Sequence, residues 1–88
     1  MKKPNISPGP WAQPHDCPHL VYDHPNGGNC IAVLHGIENM QANAQAIAAV
    51  PELLEALEQC LLFVTATPHD PAFHDRIVAA LTKAGYTF

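Results

Sequence analysis

Between Pro4 and Asp75 the chain has no lysine and no arginine. Its four fixed cations, Lys2, Lys3, Arg76 and Lys83, lie near the two ends, and all eight acids fall inside the cation-free span. Nucleic-acid recognition depends on clustered cations that displace counterions from phosphates, so direct binding of DNA or RNA is not expected. Such a body suits docking on a basic partner, although acids that merely keep a small protein soluble explain the same charges. Long apolar runs are missing as well. No segment approaches the ~18 to 20 residues that span a bilayer, and Lys2-Lys3 is followed by Pro, Asn, Ile and Ser rather than by an apolar signal core, so a cytoplasmic location without membrane contact is expected. Three cysteines, Cys17, Cys30 and Cys60, are an odd number that argues against a disulfide framework and leaves free thiols or metal ligands.

At 88 residues the chain reads as a single small domain, in the size range where one core is marginal without a staple or a partner. Apolar residues reach 48%, but many are alanines. At about 25 cal/mol per Å² such small side chains offset the ordering entropy poorly, which makes a homo-oligomer a reasonable expectation.

Composition shifts near Gly36. Six of the nine prolines fall within the first 25 residues, so residues 1–19 read as a proline-rich extended arm in which no helix forms. Residues 20–36 read as a β-hairpin: Leu20-Val21-Tyr22 as one strand, Pro25-Asn26-Gly27-Gly28-Asn29 as the turn, and Cys30 to His35 as the second strand. A two-stranded unit is marginal alone and must pack on helices or pair with another copy. Residues 38–85 read as helical. Met40, Asn43, Ala44, Ile47 and Ala48 keep three-and-four spacing, and Pro51 opens a second helix in a first turn where the missing N–H costs nothing. Leu53, Leu54, Leu57, Leu61 and Val64 form an apolar stripe wide enough for a core and a partner, with Glu55, Glu58 and Gln59 mostly on the other side. A last helix begins after Asp70-Pro71, carries Phe73, Ile77 and Leu81 on one face, and stops at Gly85. The fold class expected is α+β, an N-terminal extended arm and β-hairpin packed on two or three C-terminal helices.

Side chains that carry chemistry are densest in the first half. His15, Cys17, His19 and Cys30 are the candidate metal ligands, since zinc accepts thiolate and imidazole and often substitutes for a missing core in small domains. Their spacing is unlike the paired ligands of structural zinc sites, and unliganded surface histidines are the commoner reading. Cys-His nucleophile pairs can be written from Cys30 and His35 or Cys17 and His24, but any chain with six histidines supplies several such pairs. His69-Asp70 and His74-Asp75 are explained more simply as a helix start, with Asp as cap and dipole partner. Gly27-Gly28 lacks the helix and lysine of a phosphate loop. No catalytic residue is assigned and no enzyme is expected. Trp11, after Pro8-Gly9-Pro10, is expected to cap a small core by packing on a helix, or else to cover a ligand pocket. Trp11, Tyr22, His24 and His35, with Arg76 and Lys83 on successive turns of the last helix, are the candidate ligand- or partner-binding residues.

Gly9-Pro10-Trp11, Cys30-Ile31-Ala32-Val33 and ANAQAIAAVPELLEAL at 42–57 resemble small accessory proteins of tailed phages and prophages, which open with TPGPW and close with ANARLIAAAPELLEAL; Ea22-like early proteins are the nearest named group. The resemblance covers roughly residues 6–61. Here Ser7 replaces the Thr, Gln45-Ala46 replace Arg-Leu, and Val50 replaces an Ala, so the first helix loses a fixed positive charge. The resemblance implies a phage accessory protein, hence the bacterial cytoplasm, and brings almost no chemistry with it; the acidic face or the leucine-rich helix, which need no catalytic group, make non-catalytic binding to a host protein such as a defence component the expected role. The alternatives are an oligomeric sponge for a nucleotide immune signal and a zinc-stapled structural module.

Overall fold

The computed structural model describes residues 1–36, 38–66 and 71–88. It is an α+β fold: a hairpin of β1 (Leu20–Tyr22) and β2 (Cys30–Val33), followed by α1 (Met40–Ala48), α2 (Val50–Ala66) and α3 (Pro71–Lys83). The fold class and the order of elements match the sequence reading. The second strand is shorter than expected and ends at Val33, although the Leu34 N–H still donates to His19 O at 2.8 Å; His35 lies beyond it. Contacts within the chain gather into two compact units. One joins residues 7–53; the other joins 1–6 to 54–88. The division runs through α2 rather than between hairpin and helices, and the first six residues leave the arm to join the C-terminal helices.

In the 7–53 unit the strands pair antiparallel, with Leu20 opposite Val33 and Val21 opposite Ala32. The register then slips, so Tyr22 faces Cys30 and Ile31 is the extra residue of a bulge. β1 is not an open edge. Ala12 and Tyr22 exchange both backbone hydrogen bonds at 2.8 Å, laying the arm along the other side of the strand. Prolines on both sides of Ala12 cannot donate to a ladder, so the pairing is limited to one bridge. α1 packs on β1, and among the described residues Val21 and Ala44 are the fully buried side chains of the unit. Gln13 fastens the arm to that helix: its amide donates to the carbonyls of Pro18 at 2.6 Å and Gln41 at 3.1 Å. α1 starts at Asn39, whose φ of 62° is left-handed, a region Asn tolerates better than most side chains. It ends at Ala48 because the Pro51 ring would collide with the carbonyl four residues back, and α2 starts immediately, with Leu53 N–H donating to Ala49 O at 2.9 Å.

In the other unit Leu61 and Val64 of α2 pack with Ile77 and Leu81 of α3 and with Tyr86. Leu54 and Leu57 border that core, whereas Leu53 is 55% exposed, so the stripe read as one face is two. Phe73 is 49% exposed and stands outside the buried core that Ile77 and Leu81 share. α3 ends as Gly85 predicts. At φ 108° it lets its own N–H reach Thr82 O and the Tyr86 N–H reach Leu81 O, both at 3.0 Å, which closes the helix end and turns Tyr86 into the core beside Leu81. The expected cap Asp70 and the His69-Asp70 dyad lie outside the described residues.

The N-terminus is tied to this unit. Lys2 and Thr87 exchange backbone hydrogen bonds at 2.7 and 3.0 Å, and Lys3 Nζ lies 3.0 Å from Glu58 Oε1. Glu58 is therefore not on an outer face as its helical position suggested; its side chain is only 14% exposed. The glutamate's hydrogen bond and charge raise the Lys3 pKa. Burial, then the Glu58 charge, raises that of the Tyr86 hydroxyl. Both groups hold their protons more tightly folded than unfolded, so the stability linked to those protons is present in full below their ordinary values of about 10 and is lost as pH rises through the raised ones. The melting temperature is expected to fall from pH 9 to 11, and Tyr86→Phe should flatten that fall; an unchanged slope would contradict this placement of Tyr86.

Candidate functional site

A cleft of about 330 Å³ lies between the arm and the hairpin turn, walled by Ala12, Pro14, His15, Asp16, Tyr22, His24, Pro25, Asn26 and Gly27. The Ala12–Tyr22 bridge brings its two walls together. Its rim is a built turn. Asp23 accepts hydrogen bonds from the Asn29 backbone N–H at 2.9 Å and side-chain amide at 3.3 Å, while its own N–H donates to Asn29 O at 3.0 Å. Gly28, at φ 140°, runs so close to this clamp that a Cβ there would strike Asp23 Oδ1. The Gly27 N–H donates to His24 O at 3.1 Å. The Asn26 N–H donates to His24 Nδ1 at 3.1 Å, which leaves the neutral ring its proton on Nε2.

Three of the residues singled out in the sequence thus share one cleft: His15, Tyr22 and His24. The others lie elsewhere. Trp11 is half-buried, with its indole N–H donating to Ser7 O at 3.0 Å, and it does not line the cleft. His35 is exposed beyond β2. Arg76 and Lys83 are exposed on α3, in the other unit. Among the described residues no three His, Cys, Asp or Glu side chains are placed to hold a metal ion, so His15, Cys17, His19 and Cys30 are not gathered into a site. The Cys30 thiol instead donates to Ala32 O at 3.4 Å. The physical reason is the backbone: the alternate spacing of His15, Cys17 and His19 shares one face only in an extended segment, and here the chain bends at 15–16 and turns at 18–19.

Sequence reasoning missed Asp16, Asn26 and the Asp23–Asn29 clamp. An Asp six residues before an Asn across a Gly-Gly turn was the available signal for the clamp. Asp16 carried none, because its place in the cleft depends on where the arm crosses the hairpin. Asp16 gives the cleft a negative charge, and no lysine or arginine lines it. Among the described residues no helix is long and apolar enough to cross a membrane.

The family model described as Salmonella phage P22 protein Y8K6 matches residues 1–86. The chain belongs to this phage protein family. No curated protein and no solved structure matches it.

Proposed function

We propose that this phage-family protein acts by non-catalytic binding in the host cytoplasm, its residue 7–53 unit docking on a basic patch of a bacterial host protein, and that it inhibits or redirects a component of host defence, in the manner of an accessory protein close to the Ea22-like early group. The observation that carries this is where the charge sits. Residues 7–53 hold Asp16, Asp23, Glu38 and Glu52 and no Lys or Arg, a formal −4 equal to that of the whole chain. Asp16, Glu38 and Glu52 are exposed. Concentrated charge of one sign steers a partner of opposite sign and excludes like-charged ones.

The sequestering alternative has one feature in its favour, the shared cleft of His15, Tyr22 and His24, where a base can stack. A phosphate held there meets Asp16 and no fixed cation, which favours the protein partner. The test is capture from host-cell extract with the intact chain and with an Asp16→Lys/Glu38→Lys double variant, both exposed positions. The intact chain is expected to retain a basic protein that is released near 1 M salt, where the screening length shrinks to about 3 Å, and the variant to retain none. Equal retention by both chains would overturn the proposal.

A further inference from the structure

α2 carries two apolar ridges with the same spacing. Leu54, Leu57, Leu61 and Val64 follow each other at three, four and three residues, and all border or form the core of the 54–88 unit. Leu53, Ala56, Cys60 and Phe63 repeat that spacing one residue earlier, rotated by about 100°, and all four are exposed, Leu53 at 55% and Phe63 at 60%. A three-four-three apolar repeat is the pattern by which a helix receives another helix, knobs into holes. We propose that this second ridge is the contact between two copies of the chain, α2 packing antiparallel on α2 of a second copy.

Two features select a second copy and its direction. The ridge is self-complementary when reversed: Leu53 meets the partner's Phe63, and Ala56 meets the partner's Cys60. The small residues at the centre allow the helix axes to approach toward the lower end of the 8 to 10 Å range. The charge pattern also fixes the direction. α2 has Glu52, Glu55 and Glu58 and no cation. A parallel pair would set Glu52 beside the partner's Glu52, whereas reversal about position 58 separates them by 12 residues, about 18 Å along the axis, beyond the screening length of about 10 Å.

Sedimentation equilibrium of the intact chain under reducing conditions is expected to give a dimer at about 100 µM. Ala56→Glu should shift it to monomer with an unchanged far-ultraviolet spectrum, and Leu62→Glu, an exposed position off the ridge, should leave the dimer intact. With Cys17 and Cys30 changed to serine, mild oxidation of an Ala56→Cys variant should link that position to the partner's Cys60. A monomer at every concentration, a dimer that survives Ala56→Glu, or a disulfide joining only the two Cys60 thiols would overturn the proposal.

Discussion

Leu81→Ala is expected to cost about 2–5 kcal/mol, the range for emptying a buried leucine site. Leu81 is 0% exposed and shares one core with Leu61, Val64, Ile77 and Tyr86. It also accepts the Tyr86 N–H that closes α3, so the lost volume lies directly under the helix end. With a core this small, such a loss is a large part of the total stability of a domain of this size. Urea unfolding followed by helix signal should show the midpoint collapse for Leu81→Ala and move little for Leu62→Ala, whose side chain is 67% exposed. Equal midpoints for the two variants would contradict the core assignment.

The second large effect is expected at Gly9. A Cβ on this residue would lie 2.7 Å from Pro51 Cβ and 3.0 Å from Pro51 Cγ. The first contact is closer than carbon atoms tolerate and the second is tight, and the proline ring cannot rotate aside as a long side chain would. Gly9→Ala is therefore expected to destabilise by about 1–3 kcal/mol, the cost of overpacking. The change should also disturb the near-ultraviolet signal of Trp11, two residues on. An unperturbed tryptophan signal and midpoint would mean that the arm does not cross the start of α2 at this point. The contact gives a physical meaning to the two strings that suggested a phage protein. The Gly-Pro-Trp turn and the Pro-Glu-Leu-Leu helix start are 42 residues apart in sequence and touch in the fold.

What was legible in the sequence was local. Three-and-four spacing marks α2 and α3, Pro51 marks a helix start, Gly85 marks a helix end with φ 108°, and the Pro-Asn-Gly-Gly-Asn run marks the hairpin turn. Each follows from the conformations a residue permits within one or two turns of itself. The features that stayed hidden are long-range. Nothing near Lys3 signals Glu58, and nothing near Lys2 signals Thr87, because those pairings depend on how the chain ends meet after the helices pack. Likewise Leu53 and Leu54 are equivalent as letters, and only the placement of α3 decides that Leu54 borders the core while Leu53 faces outward. The site was half legible for the same reason. Tyr22 and His24 flank a recognisable turn, but the opposite wall, His15 and Asp16, is set by the Ala12–Tyr22 bridge. The histidine and cysteine density that suggested zinc was a count along the chain, and a count does not supply convergence.

The central claim is that the cation-free 7–53 unit binds a protein. Native mass spectrometry of the untagged chain, isolated gently from bacterial host cells, tests it most directly, because one spectrum reports bound protein, metal and small molecules together. The account predicts a complex with a basic host protein that dissociates as salt is raised. A spectrum of the chain alone carrying stoichiometric zinc or a nucleotide would contradict it.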